Sequence, residues 1–124
     1  MSMFKAAALA TILGSTTACS LHECANDTLA SVQSPDGQEA AILFERNCGA
    51  TTAASIHLAI VPISDMPNET GNALIFSKMT TDAQSYRLHW TDGGHVNVNL
   101  PKGAEVYLRQ QSVGGTVIKV VQEG

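Results

Sequence analysis

Cysteine and histidine are the residues of this chain with the most reactive chemistry. Cys48 could attack as a thiolate if His57, His89 or His95 took its proton. A bond between Cys48 and Cys24 would remove that nucleophile. His89 and His95 form a second candidate, as metal ligands with Asp92 between them in the chain. A structural zinc site normally takes four protein ligands, so a solvated polar face is the favoured reading and metal binding the alternative. Glu45 and Arg46 form a third. Adjacent on a strand, they point to opposite faces, and each needs its own partner. For Arg46, backbone groups of the loop 49–52 would serve; the alternative is a ligand held by Arg46, Thr51 and Thr52, with Glu45 nearby. No GxSxG, HExxH, Walker loop or dinucleotide fingerprint occurs. The expectation is a protein with no catalytic residue, no cofactor and no enzymatic activity.

The first residues decide where such chemistry would take place. Residues 1–18 read as an export signal. Lys5 gives a positive charge, the run AAALATILG at 6–14 is too short to span a bilayer, and small residues lead to Cys19. The segment STTAC resembles a bacterial lipoprotein cleavage box, with Thr16 where such boxes usually hold leucine. Cysteine parity supports lipidation of Cys19. Cleavage without lipid would leave an odd thiol in an oxidising compartment, whereas lipid on Cys19 frees Cys24 and Cys48 to pair. That pairing would close a loop of about 25 residues and stabilise the fold by roughly 3 kcal/mol. Ser20 rather than aspartate after the cysteine implies an outer-membrane lipoprotein facing the periplasm. A soluble periplasmic or secreted protein and an uncleaved anchor are the alternatives.

Residues 19–27 then form a tether and 28–124 one domain. The processed chain has 124 − 18 = 106 residues, enough for a single modest core. Loss of Lys5 leaves 7 − 1 = 6 basic residues against 11 acidic ones, a formal charge of −5 with no basic cluster. Nucleic acid is therefore excluded as a partner, and the membrane would be reached through the lipid alone. Phe44, Phe76, Tyr86, Trp90 and Tyr107 are the aromatics left, so a disulfide would add usefully to a thin aliphatic core.

Apolar residues alternate with period two, which predicts an all-β fold: a small antiparallel meander or sandwich of about seven or eight strands. Strands are expected at 28–33, 38–47, 54–63, 73–78, 85–91, 95–100, 105–112 and 116–122, with 64–72 an exposed loop. Ser34, Pro35, Asp36 and Gly37 are a strong turn signal joining the first two strands. In the hairpin 86–100, putting Tyr86, Leu88, Trp90, Val96, Val98 and Leu100 on one face requires Trp90 opposite Val96 and a three-residue loop, Asp92-Gly93-Gly94. The other face then carries Arg87, His89, Thr91, His95, Asn97 and Asn99. A second hairpin, 105–111 with 116–122, would set Val106 and Leu108 beside Ile118 and Val120, with Tyr107, Val117 and Val121 on a partly covered second face.

The SPDG turn, the block Phe44-Glu45-Arg46 with Cys48-Gly49-Ala50-Thr51-Thr52, the strand SIHLAIVPI, and the pairs Pro67-Asn68 and Gly71-Asn72 together resemble a family of small exported bacterial proteins of unknown function. The resemblance covers roughly residues 24–76 and implies no activity. The expected function is a lipid-anchored, non-catalytic accessory or binding protein of the cell envelope with an unidentified envelope partner. The alternatives are an immunity or inhibitor-type partner of a secreted protein, or a metal-binding protein built on His89 and His95.

Overall fold

The computed structural model describes residues 24–49 and 53–123. Cys19, His22, Thr51, Thr52 and the expected signal lie outside the described residues. The fold is all-β, with nine strands among the described residues: β1 Ala25–Gln33, β2 Glu39–Asn47, β3 Ser55–Pro62, β4 Leu74–Ser77, β5 His89–Asp92, β6 His95–Leu100, β7 Val106–Arg109, β8 Ser112–Val113 and β9 Thr116–Gln122. They form two sheets, ordered β1-β2-β3-β4-β7 and β5-β6-β9-β8.

The two sheets close on one core because each offers an apolar face with period-two spacing. Ala41, Leu43, Ile56, Leu58, Ile60, Leu74 and Phe76 from the first sheet meet Val96, Val98, Leu100 and Ile118 from the second, with Tyr86 buried among them. Two polar contacts also tie the sheets: Trp90 Nε1 donates to Val32 O at 2.8 Å, and Thr116 Oγ1 to Glu39 Oε1 at 2.8 Å. Strands β2 and β3 are apolar on both faces, and a second cluster of Ala40, Ile42, Phe44 and Ala59 forms on the outer side of the first sheet.

The Ser34 to Gly37 segment makes the expected turn. Ser34 Oγ donates to Asp36 Oδ1 at 2.7 Å and accepts from Glu39 N, while Gly37 N donates to Ser34 O and Gly37 takes a φ of 74°. At the open end of the same hairpin Cys24 and Cys48 are bonded, with Cα atoms 4.0 Å apart, one step beyond the Ala25–Asn47 pair. The first strand starts at Ala25, so 25–27 belong to the sheet instead of the tether. The bonded cysteines hold these polar residues in register where no apolar alternation announces a strand.

Three expectations about the C-terminal half need correction. No strand begins at 85: Ala83–Tyr86 is a one-turn 3-10 helix, capped by Asp82 accepting from Gln84 N and closed by Arg87 at φ 47°. That turn drives Tyr86 into the core, where its hydroxyl donates to Thr80 O. In the hairpin that follows, Trp90 does lie opposite Val96, but Asp92 pairs with His95, leaving a two-residue Gly93-Gly94 loop. A bulge between Trp90 and Asp92 absorbs the odd residue, so both strands keep their apolar sets inward. Finally, β7 does not pair with β9. It crosses to the first sheet, where Leu108 lies opposite Ile75 and Val106 opposite Phe76. Strand β9 pairs in parallel with β6, setting Ile118 by Val96 and Val120 by Val98, and only the short β8 folds back on it. Tyr107, Val117 and Val121 are consequently 61%, 41% and 39% exposed and not covered.

Candidate functional site

The hairpin chemistry predicted a polar stripe on the outer face of the second sheet, and a groove lies there. The register places Asn97 between His89 and Lys119, and His95 between Asp92 and Val117. Arg109, the last residue of β7, and Gln111, just before β8, line the same groove. The resulting groove, about 520 Å³, is lined by Thr91, Asp92, His95, Asn97, Arg109, Gln111, Val117, Ile118 and Lys119. Its wall is held by backbone bonds: Gln110 N donates to Ala73 O and Ile118 N to Gln111 O, each at 2.9 Å, while Val117 N donates to Gly94 O at 2.8 Å.

Asp92 Oδ1 accepts from Gly94 N and from His95 Nδ1, each at 2.8 Å. These bonds, the Gly94 N–H first, hold the Asp92 carboxyl below its usual range and keep it ionised. An ionised acceptor requires His95 Nδ1 to carry a proton, which leaves Nε2 to accept in the neutral ring and to donate in the protonated one. Arg109 and Lys119 make no ion pair among the described residues, in which the pairs are Lys78–Glu45 and His95–Asp92. The groove thus combines two cations outside any ion pair, side-chain amides, one imidazole and an apolar strip at Val117. Arg109, Gln111 and Lys119 were not singled out in the sequence. They come from different elements: the β4–β7 pairing places Arg109, and the parallel β6–β9 pairing places Lys119.

His89 stands apart, with Nδ1 2.7 Å from Arg87 O, and His89 is not among the residues lining the groove. No group of three or more His, Cys, Asp or Glu able to hold a metal ion occurs among the described residues. Cys48 is held in the disulfide, so the thiolate mechanism is removed in this state.

Glu45 and Arg46 do point to opposite faces. Glu45 Oε2 accepts from Lys78 Nζ at 2.9 Å, and Arg46 Nη1 donates to Asn26 Oδ1 at 2.8 Å. Asn26 Nδ2 in turn donates to Pro67 O and Glu69 O. Arg46 is thereby coupled to the loop after β3, a contact the sequence did not foretell. Although mostly exposed, that loop is anchored: Asn72 Oδ1 accepts from Ile60 N at 2.8 Å and Asn72 Nδ2 donates to Ile60 O at 2.9 Å.

The loop also explains a serine–histidine contact that resembles a hydrolytic pair. Ser55 Oγ lies 2.8 Å from Nε2 of buried His57, and His57 Nδ1 accepts from Gly71 N at 2.9 Å. With Nδ1 accepting, the proton sits on Nε2, so His57 donates to Ser55 instead of deprotonating it. Burial first, and Arg46 second, lower the His57 pKa to about 4 and keep the ring neutral. The contact is a structural clamp. Gly71 is fixed against it because a Cβ there would stand 2.6 Å from Leu58 O and 2.9 Å from His57 Cβ. Gly71→Ala should therefore cost about 2 kcal/mol through the backbone clash and the lost bond to His57. Urea unfolding measures it, and a loss below about 0.5 kcal/mol would show that the loop shifts freely.

Comparison with known proteins finds no match: no protein-family model, no curated protein and no solved structure is significantly similar to the chain.

Proposed function

We propose that this chain is a non-catalytic accessory of the bacterial cell envelope. It is held by lipid on Cys19 to the outer membrane, faces the periplasm, and recognises its ligand through the groove on the second sheet. The observation that carries the reading is the Cys24–Cys48 bond. It fits an oxidising compartment, leaves Cys19 as the third cysteine, and occupies the thiol that the sequence offered as a nucleophile. The resemblance of residues 24–76 to small exported bacterial proteins supports the same location.

Geometry gives this arrangement a direction. Five residues separate Cys19 from Cys24, a reach of at most about 18 Å. The SPDG turn lies at the far end of β1, about 30 Å away along nine residues. Trp90 bonding to Val32, and Thr116 to Glu39, put the Gly93-Gly94 and Gly114-Gly115 turns at that same far end. An anchored molecule would present the turn-side part of the groove away from the bilayer.

Intact-mass spectra of protein expressed with its own signal, with and without reduction and alkylation, test the proposal. The expected result is an acylated chain beginning at Cys19 that gains two alkylation sites only after reduction. A lipid-free chain would overturn the anchor. Purified protein should also lack stoichiometric metal; zinc or copper that disappears on His89→Ala would overturn the reading in favour of a metal protein.

A further inference from the structure

We infer that the groove takes a small hydroxylated carboxylate of the sugar-acid type, its carboxylate set between Arg109 and Lys119 and a hydroxyl donating to His95 Nε2. The inference rests on the proposed binding role and specifies its ligand.

Charge supplies the first argument. In a processed chain with six cations and eleven acids, two of the cations line one groove without an ion-pair partner, while Lys78 is paired and Arg46 is hydrogen-bonded to Asn26. The one carboxylate in the groove, Asp92, is engaged with Gly94 N and His95. An incoming anion therefore meets two cations against one carboxylate, and neither cation is in an ion pair with it.

The remaining lining argues for a hydroxylated ligand over a bare anion. With Nδ1 engaged by Asp92, the neutral form of His95 offers Nε2 as an acceptor, and an acceptor of this kind needs a ligand O–H or N–H. Thr91, Asn97 and Gln111 can each both give and take hydrogen bonds, which suits several hydroxyls on one small scaffold. Val117, 41% exposed beside His95, offers a strip for the C–H face of a sugar ring. About 520 Å³ falls within the range of small-molecule sites. The backbone bonds that hold the wall at Gln110, Gln111 and Gly94 keep the backbone's ordering cost low, so the cost of binding falls on the exposed side chains of Arg109 and Lys119.

The test is an NMR titration of the processed protein in detergent with D-glucuronate, D-glucose and inorganic phosphate, reading the amides of Asn97, Gln111, Val117 and Lys119. Glucuronate should move these signals to saturation and bind about tenfold or more tighter than glucose. Arg109→Ala and Lys119→Ala, both at exposed positions, should each weaken glucuronate by about tenfold. His95→Phe should weaken glucuronate and leave phosphate unchanged. Equal binding of glucose would overturn the role of the cations. Phosphate binding as tightly as glucuronate would overturn the hydroxylated class and leave a plain anion groove. Silence to all three probes would overturn the inference, whereas the mass spectrum and metal content judge the proposed function separately.

Discussion

Reducing the bond between Cys24 and Cys48 will lower the free energy of unfolding by roughly 3 kcal/mol, a large share of the total available to a domain of this size. The expected loss follows from the 24-residue separation the bond spans, because the reduced unfolded chain regains the freedom that closure had removed. The structure adds where the damage begins. Strand β1 is a sheet edge whose first residues, Ala25, Asp27 and Thr28, are exposed and contribute little burial. Beyond the irregularity between Thr28 and Ala30, the strand is held by the turn at Ser34 and by Trp90 donating to Val32 O. Reduction should free the amides of Asn26 to Thr28 to exchange with solvent well before those of Ser31 to Gln33. Urea unfolding with and without reduction gives the total, and hydrogen exchange gives the order. An unchanged midpoint, or uniform exchange along β1, would contradict the assignment.

Acid should weaken the fold by a comparable amount, and the responsible group is His57. Its folded pKa is about 4 against 6.5 for the free side chain, with burial as the main cause and Arg46 as the second. Below pH 6.5 the unfolded chain takes up a proton that the folded chain refuses. The stability present in full above that value therefore falls as pH is lowered, and levels off once the folded ring is protonated near 4. Over 6.5 − 4 = 2.5 pH units the loss sums to about 3 kcal/mol. Asp92 and Asp36 are also held below their usual value by hydrogen bonds, the largest from Gly94 N and from Ser34 respectively. Their contributions are present above the ordinary carboxylate range and fade at more acid pH, outside the histidine window. His57→Gln should be less stable at pH 7, yet its stability should vary far less between pH 6.5 and 4. A wild-type profile flat across that interval would refute the assignment to His57.

Both effects come from features that differed in how openly the sequence displayed them. The disulfide was readable because three cysteines, with Cys19 read as the acylated one, leave one natural pairing. The SPDG turn was readable because proline, aspartate and glycine act within four residues. The clamp at His57 was not, since its partner Gly71 is fourteen residues away and speaks through a backbone N–H that carries no side-chain signature. Strand β6 followed from alternation that only a strand satisfies, and β2 and β3 from short apolar runs bounded by turn-forming residues. The same alternation is silent about which strands become neighbours. Val96 and Ile118 suit a shared face whether β6 and β9 run parallel or antiparallel, and β7 is apolar enough at Val106 and Leu108 to have joined either sheet. At the groove, Thr91, His95 and Asn97 were legible as a polar stripe. Arg109 and Lys119 became its partners through β7 joining β4 and β9 joining β6, pairings that no local pattern encodes. The signal that could have been read and was not is Asp82: aspartate ahead of Ala83-Gln84-Ser85 marks a helical turn where a strand was expected.

In the second sheet the last of the described strands does not sit at the margin. Strand β9 lies inside, between β6 and β8, and it covers the backbone edge that β6 would otherwise leave open. A chain emerging N-terminus first, from a ribosome or across a membrane, can complete the β1–β2 hairpin early. It cannot complete the second sheet until residues 116–122 have arrived. The second sheet is therefore kept unfinished until those residues are delivered. Loss of 116–122 would remove the keystone of a sheet instead of trimming its edge.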